Sequence, residues 1–163
     1  MPATNNKITF RKIIEIKNKR AEHDYYILQT YTAGIVLYGT EIKSIRAGKA
    51  GLTDTFCYIR DGEIWVKNMY VAEYFYGSFY NHDAKRERKL LLNRREILRL
   101  AQETKNPGLS IVPLLLYIDD NNRAKLKIAL VRGKKEYDKR QTLREKEDKR
   151  MIDQKFKDIN SRR

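Results

Sequence analysis

The sequence predicts a mainly β fold with short helices, in which antiparallel strands close into a small barrel. Segments that alternate β-branched or aromatic residues with polar ones recur along the chain, separated by turn residues. About six or seven such strands are too few for a two-sheet sandwich but suit a small closed barrel with about two or three small helices. The length of 163 residues suits one domain with an appendage. The economical architecture is an OB-like barrel over residues 11–132, with a flexible N-terminus over residues 1–10 and a basic C-terminal tail over residues 133–163.

Positive charge dominates the composition. The chain has 35 Lys and Arg against 21 Asp and Glu, a formal net charge of +14 at pH 7, which attracts polyanions. No apolar run reaches the roughly 18 residues of a membrane span, and the first residues lack a signal-peptide pattern, so we expect a cytoplasmic protein. The 11 tyrosines exceed what a core of this size needs, and exposed rings beside positive charge stack on bases. The composition therefore ranks RNA ahead of a membrane as the partner.

The barrel begins with three predicted strands. Alternating isoleucines mark the first, over residues 11–17, and the basic stretch NKRAEH after it is predicted as a turn. Residues 25–31 and 34–38 form the next two strands, because their apolar content is mostly β-branched or aromatic. Small residues at positions 33 and 34 allow a tight bend or a bulge between them.

A short helix with a basic outer side follows. Thr40 is the predicted N-cap and Gly48 the stop, so GTEIKSIRAGK predicts about two helical turns. Ile42 and Ile45 share one side of this helix and would face the core. The other side and the end of the helix carry a basic cluster: Lys43, Arg46 and Lys49. We expect this cluster to matter for binding a polyanion.

A hairpin and an aromatic segment come next. The Asp61-Gly62 pair between LTDTFCYIR and EIWVKNMYV is a strong hairpin signal. Residues 70–89 then place six aromatic residues ahead of four basic ones, and a loop this aromatic must fold back on the barrel or lie against a partner. Residues 90–92, all leucine, are predicted to enter the core. For three of the neighbouring bases we favour contact with RNA over simple solvation: Arg86, Arg88 and Lys89.

A second helix and a second hairpin complete the predicted barrel. Asn93 and the Glu three positions later form a capping pattern, and residues 106–108 end the helix. SIVPLLLYI and AKLKIALVRG then form a hairpin around DDNN, with Pro113 at an edge or a bulge. Four apolar residues of the second segment share one face by alternation: Ala124, Leu126, Ile128 and Leu130. Lys125 and Lys127 point to the other face, and they are ambiguous because a solvated face often carries such a pair.

The tail is charged and poor in apolar residues. It holds twelve basic and seven acidic residues, a net +5 that leaves +9 for the rest of the chain. Its few apolar residues at helical spacing are Ile152, Phe156 and Ile159, too few to offset an ordering entropy of roughly 1 to 2 kcal/mol per residue. We therefore predict that the free tail is disordered. Gly and Pro are absent from Lys134 onward, so a helix remains accessible once a partner compensates.

The sequence is poor in catalytic and metal-binding patterns. It contains no GxSxG, P-loop or HExxH motif, so we expect no enzyme activity. Cys57 is predicted to be a small buried hydrophobe within a strand, and with His23 and His82 it offers no zinc-site spacing, so we expect no metal and no cofactor. His23 could stack on a base or contact phosphate, and a plain surface histidine fits its spacing equally well.

Several motifs together resemble one family. GTEIKSIRAGKA, RKLLLN and GKKEYDKR occur in this order, and NKRAEHDYYI, LSIVPLLLYI and AKLKIAL fit the same pattern, over about residues 18–140. The chain resembles the small protein B family, the SsrA-binding proteins that partner transfer-messenger RNA (tmRNA) in bacterial ribosome rescue. The resemblance implies an OB-type barrel that binds the tRNA-like domain of tmRNA. It also implies a tail that becomes helical in the decoding centre and mRNA channel of a stalled ribosome, and we expect a monomer when the protein is free.

The resemblance assigns site residues by motif. On the barrel, the implied RNA-binding residues are Lys19, Arg20, His23, Lys43, Arg46, Lys49, Arg88, Lys89, Asn93, Lys125 and Lys127. In the tail, the implied ribosome-engaging residues are Gly133, Lys134, Lys135, Tyr137, Asp138, Lys139 and Arg140, with Ile152 and Phe156 as apolar contacts. Thr32, Ala84 and Tyr137 depart from the family pattern, which commonly has Glu, Pro and, in some relatives, His at these places. A stacking role at Tyr137 survives the change, because Tyr also stacks.

Two rival classes remain open from the residues alone. A structural ribosomal protein or general OB-fold RNA binder would thread its basic tail through rRNA permanently and would co-purify with stoichiometric rRNA. An RNA-modifying enzyme would need turnover that depends on Cys57 or His23.

Overall fold

The computed structural model describes residues 13–77, 79 and 81–162, and for Glu136 and Tyr137 it describes the backbone alone. Within these residues the elements, in chain order, are β1 (Glu15–Lys17), α1 (Lys19–Asp24), β2 (Tyr25–Ile35), α2 (Gly39–Arg46), β3 (Ala50–Gly51), β4 (Phe56–Arg60), β5 (Glu63–Lys67), β6 (Tyr70–Val71), β7 (Arg88–Leu91), α3 (Arg94–Glu103), β8 (Leu109–Ile118), β9 (Ala124–Gly133) and α4 (Glu136–Ser161).

Seven strands form one antiparallel sheet in the order β1-β8-β4-β5-β7-β2-β9. β8 also pairs with β9, so the strands from β8 around to β9 close into a ring, while β1 shares with β4 one edge of β8. β3 and β6 form a separate two-stranded sheet. The predicted mainly β fold with six or seven antiparallel strands is confirmed.

The interior of the ring is the main hydrophobic core. Strand residues that alternate inward, among them Ile64, Leu90, Leu116 and Leu126, are fully buried there. Each large aliphatic side chain buried in this way contributes roughly 1.5 to 3 kcal/mol to folding. Leu100 of α3 belongs to the same cluster and Ile97 packs against it, so this helix packs on the ring of strands.

The predicted hairpin turn at Asp61-Gly62 is confirmed, and so is the predicted position of Pro113 at an edge or a bulge. Asp61 and Gly62 both have positive φ (54° and 74°), and they join β4 to β5 as a two-residue hairpin loop. The ladder between β8 and β9 shifts register between Pro113 and Leu115, so Pro113 lies at a bulge.

Two predictions in the first part of the barrel are wrong. Residues 25–38 are not two strands with a bend at 33 and 34, because β2 continues to Ile35 and its irregularity lies between Ile27 and Gln29. Gly34 is needed for packing rather than for turning: a Cβ there would lie 3.3 Å from Cβ of Leu91 on β7. NKRAEH is the helix α1 rather than a turn, since Ala21 buries itself against Val112, Ala129 and Val131 outside the ring.

The ends of two other predicted elements are corrected in detail. The N-cap of α2 is Tyr38 rather than Thr40, and the Tyr38 backbone N–H donates to Oε2 of Glu41 at 2.9 Å. Ile45 is fully buried as predicted, whereas Ile42 is half-buried. The strand predicted over residues 11–17 is seen from Glu15 to Lys17, and residues 11 and 12 lie outside the described part of the chain.

The tail contains the longest helix. α4 spans 26 residues, and every described side chain from Leu143 onward is exposed. The helix that the tail sequence leaves accessible is therefore formed, while disorder of the free tail stays a prediction. Among the described residues, no helix is both long and apolar enough to cross a membrane.

Candidate nucleic-acid interface

The outer surface of β1, β8, β9 and β2 is a continuous basic face. Strand register aligns the outward residues in two rows, Lys17, Leu115, Lys127 and Thr32 in one, and Glu15, Tyr117, Lys125 and Gly34 in the other. We call this surface the basic sheet face. In these rows Leu115 lies between Lys17 and Lys127, and half-buried Tyr117 lies between Lys125 and Glu15.

The sequence of β9 explains why this face is basic in one part and covered in another. Ala129 and Val131 point outward but are buried beneath α1, whereas Lys125 and Lys127 continue the same outward row beyond the helix. No carboxylate of the described residues pairs with either lysine within 4.0 Å. Both lysines belong to a larger positive surface, which favours a binding role for the pair over simple solvation.

α1 borders one end of the basic sheet face. Asn18 fixes the start of the helix, since its backbone N–H donates to Leu114 O and its Nδ2 donates to Pro113 O, both at 2.9 Å. Lys19 and Arg20 are exposed, and Arg20 has a solvent-exposed ion pair with Asp54 at 3.3 Å. Lys19 and Arg20 therefore lie on the helix that follows β1 directly, and the Arg20 side chain is turned towards Asp54.

His23 on the same helix is half-buried and has a carboxylate neighbour. Its Nδ1 lies 2.8 Å from Oδ1 of Asp24. The hydrogen bond from His23 is the main reason that the pKa of Asp24 lies below its usual range, with Lys139 contributing and partial burial opposing the shift. A hydrogen bond of this kind orients the imidazole ring and leaves its other nitrogen to act outward.

α2 borders the other end of the face. Lys43, Arg46 and Lys49 are all exposed, as the helical spacing predicted. Nη2 of Arg46 donates to the backbone oxygen of Asn122 at 2.9 Å, which fastens α2 to the turn between β8 and β9. The basic cluster therefore lies next to the end of β9 that carries Lys125.

A buried ion-pair network holds α2 in this position. Glu41 of α2 is fully buried and accepts from Nη2 of Arg86 and from Nε of Arg88, each at 2.8 Å. Nη1 of Arg88 also donates to the backbone oxygen of Met69 at 2.7 Å. Burial alone would raise the pKa of Glu41, but hydrogen bonds from Arg86, the Tyr38 backbone and Arg88 outweigh it, so this pKa is held below its usual value.

This network corrects the expectation that Arg88 binds RNA. Its side chain is 0% exposed and fully engaged in the protein interior, so it positions α2 rather than contacting a ligand. The Arg86 side chain stays 26% exposed, and its guanidinium lies 4.2 Å from the Tyr38 ring centroid. A run of basic residues in sequence gives no sign that one of them is buried. Arg88 is buried because it pairs with Glu41, which is 47 residues away in the sequence.

Lys89 and Asn93 are not grouped with the basic sheet face. Lys89 extends from β7 towards β5, where its Nζ lies 2.6 Å from Oε1 of Glu63 and its charge is largely offset. Asn93 is the N-cap of α3, as predicted, and its backbone N–H donates to Oε2 of Glu96 at 3.3 Å. The RNA-binding residues that the resemblance implies therefore do not all lie on the basic sheet face.

The base of the tail docks beside α1. The Lys134 backbone N–H donates to Asp24 O at 2.9 Å, and Nζ of Lys134 donates to Glu22 O at 3.1 Å. Nζ of Lys139 lies 3.6 Å from Oδ1 of Asp24. Partial burial and the neighbouring Asp138 carboxylate raise the pKa of the Tyr26 hydroxyl. Asp24 and Tyr26 were not anticipated, because no local pattern pairs residues more than a hundred positions apart.

The remaining expected tail residues differ in their surroundings. Gly133 ends β9 opposite Tyr25, while Lys135 and Arg140 are exposed. Ile152 and Phe156 are 53% and 63% exposed. The side chain of Tyr137 lies outside the described residues. Past its docked base, the helix therefore projects its apolar residues into solvent.

Cys57 is buried in the core, as predicted. Burial raises the pKa of its thiol well above the usual range, so the thiolate that a nucleophile requires is strongly disfavoured.

Comparisons with known proteins point to one family. The family model described as SmpB protein matches residues 15–158. An SsrA-binding protein of Phocaeicola vulgatus is 62% identical over 144 residues, covering 88% of this chain and 96% of the relative. One from Bacteroides thetaiotaomicron is 58% identical over the same length and coverage. A solved structure described as "tmRNA-SmpB: a journey to the center of the bacterial ribosome" has 47% sequence identity and a TM-score of 0.65, and the match covers 76% of this chain and 86% of that chain.

Proposed function

Because this chain belongs to the SmpB family, whose relatives are named SsrA-binding proteins, we propose that it binds tmRNA and serves in trans-translation. It holds the tRNA-like domain of tmRNA and delivers it to a stalled ribosome, so that the nascent peptide is tagged and the ribosome rescued. The protein acts in the bacterial cytoplasm as an adaptor and catalyses no reaction itself.

The observation that carries this proposal is the basic sheet face, with exposed basic side chains on the helix at each end. Lys125 and Lys127 lie between α1, with Lys19 and Arg20, and α2, with Lys43 and Arg46. The face crosses four neighbouring strands, which is about 14 Å at roughly 4.8 Å between strands, and the two helices extend it further. A surface of this length fits several phosphates of a folded RNA rather than one small anion.

The tail supplies the second half of the proposed activity. Its base is fastened to α1 through Lys134 and Lys139, whereas every described side chain of α4 from Leu143 onward is exposed. We propose that α4 enters the decoding centre and mRNA channel of the small subunit, where Ile152 and Phe156 become covered. Division of the chain into an RNA-holding barrel and a ribosome-engaging tail follows from this arrangement.

The identity of the bound RNA tests the proposal. The full chain, carrying an affinity tag and expressed in a bacterium, is captured from a lysate and its RNA is sequenced. The expected result is strong enrichment of tmRNA over its cellular abundance. Recovery of stoichiometric rRNA without enrichment of tmRNA would instead support a structural ribosomal protein and would overturn the proposal.

A further inference from the structure

Among its described residues, the segment between β6 and β7 exposes three aromatic rings. Phe75, Tyr76 and Phe79 are 84%, 80% and 103% exposed, and together they are named the aromatic loop below. The Phe75 and Tyr76 rings meet edge to face with centroids 5.1 Å apart. Exposing this much ring area is unfavourable in water, so a partner that covers it gains binding free energy.

The base of the aromatic loop is a built structure. Asn81 closes it, because its Nδ2 donates to Tyr74 O at 2.8 Å and its Oδ1 accepts from the Tyr74 N–H at 3.2 Å. The Gly77 N–H donates to the same Tyr74 oxygen at 2.8 Å, and a Cβ on Gly77 would lie only 2.6 Å from Nδ2 of Asn81. The rings are therefore presented by a turn whose geometry excludes a side chain at its centre.

This base is joined to the basic helix α2. The next residue, His82, is buried, with its Nδ1 2.9 Å from Oγ1 of Thr40 on α2 and its Nε2 3.0 Å from Val71 O. Nζ of Lys43 lies 5.1 Å from the ring centroid of Tyr74. The aromatic loop thus continues the surface that α2 presents, and the two move as one unit if Thr40 and His82 stay bonded.

We propose that Phe75, Tyr76 and Phe79 stack on unpaired bases of the RNA whose phosphates are held by α2, an inference that rests on the proposed function. Planar rings beside cations match single-stranded nucleic acid, because the cation attracts the backbone while the ring covers a base face. Lys43 and Lys49 supply that charge on the α2 side, and Lys85 supplies it on the other, although Glu73 and Asp83 are exposed nearby. Stacking accepts any base, so the loop selects unpaired nucleotides rather than a sequence.

The test compares ring chemistry at fixed charge. Full-length variants Phe75→Ala/Phe79→Ala, Phe75→Leu/Phe79→Leu and Phe75→Tyr/Phe79→Tyr are titrated with the labelled tRNA-like domain of tmRNA and with a fully paired RNA hairpin. The Ala and Leu variants should lose about 5- to 150-fold affinity for the tRNA-like domain per stacked base, the equivalent of about 1 to 3 kcal/mol. The Tyr variant should retain wild-type affinity, and binding to the paired hairpin should not change.

Two further readouts separate stacking from general damage. The slope of log affinity against log salt should stay the same in all three variants, because no phosphate contact is lost. Ultraviolet irradiation of the wild-type complex should crosslink RNA to the peptide that contains residues 75–79. Phe56→Ala, which removes a partly exposed ring on β4, serves as the control and should bind like wild type.

A second variant tests whether the turn that holds the three rings is needed for binding, while the rings themselves are kept. Gly77→Ala keeps every ring but collides with Asn81, so it should weaken binding to the tRNA-like domain while the unfolding midpoint stays near that of the wild type. If the Ala and Leu variants bind both RNAs like wild type, the stacking inference is overturned and the rings are left for a protein partner. That result leaves the proposed function intact, because the latter fails only if wild-type protein does not enrich tmRNA.

Discussion

Glu41 is the residue on which the geometry of the basic cluster most depends. It lies on the inner side of α2, and its carboxylate is shared by two guanidinium groups from the segment before β7 and at its start. A buried charge without its partner is costly, so each member of the network stabilises the fold only while the others are present. The cluster of Lys43 and Arg46 is therefore positioned by the network of Glu41, Arg86 and Arg88.

Replacing Glu41 with Gln should destabilise the protein strongly. The change leaves Arg88 buried without a countercharge, and breaking a buried pair in this way costs about 3 to 5 kcal/mol. Urea unfolding at neutral pH measures the loss. The control is Glu63→Gln, which removes the partly exposed pair with Lys89 and should cost about 1 kcal/mol or less. Equal losses for the two variants would contradict a structural role for the buried network.

Acid should weaken the same network. The pKa of Glu41 in the folded protein is below its unfolded value of 4.5, so its stabilisation is complete above that value and is lost as pH falls through the lower folded pKa. Urea unfolding of the wild type across this acidic range should therefore show stability falling more steeply than in Glu41→Gln. Parallel pH profiles would show that Glu41 does not contribute.

At the scale of single elements, α2 and β9 carry the proposed contacts with RNA phosphates. The double variant Lys43→Ala/Arg46→Ala should weaken binding to the tRNA-like domain of tmRNA and flatten its salt dependence. Each lost phosphate contact removes about 0.7 to 0.9 from the log–log slope. Fluorescence anisotropy over a series of salt concentrations measures both quantities. Lys105→Ala, which removes an exposed charge after α3, is the matched control, and an unchanged slope in the double variant would exclude α2 from the interface.

The helix α4 makes a different prediction, because it lacks a packed face. All its described side chains from Leu143 onward are exposed, so we expect the free tail to be mostly unfolded despite its helical spacing. Far-ultraviolet circular dichroism of the full chain and of a chain ending at Lys135 should differ by much less than the signal of 26 helical residues. A difference that matches the whole helix would show that the tail is ordered without the ribosome.

The strand β9, the loop at Asp61 and Gly62, and the helix α1 show which parts of the fold could be predicted from sequence. Alternation along β9 correctly separated the core residues from Lys125 and Lys127, because a strand sends neighbouring side chains to opposite faces. Asp61 and Gly62 were recognisable because their positive φ values restrict the choice of residue. The helix α1 was mistaken for a turn, since its single buried residue, Ala21, leaves almost no hydrophobic periodicity to detect.

At the scale of the whole molecule, two long-range charge contacts could not be predicted from sequence. Arg88 was expected to contact RNA, but it is buried and paired with Glu41 of α2. Lys139 pairs with Asp24, which is 115 positions earlier in the sequence. Lys139 reaches Asp24 because β2 pairs with β9, Tyr25 opposite Gly133, which brings the end of α1 to the base of the tail. Composition predicted a polyanion as the partner, and the fold arranged the charge into one face and one projecting helix.

The central claim is that the barrel holds tmRNA while the tail serves the ribosome, and truncation tests it most directly. A chain ending at Lys135 keeps β9 and the bond from Lys134 to Asp24 but lacks α4. Its affinity for the tRNA-like domain and its support of peptide tagging on stalled ribosomes are measured beside those of the full chain. The account predicts unchanged RNA affinity, within about twofold, with tagging abolished. Loss of RNA affinity together with tagging, or tagging that persists without α4, would contradict it.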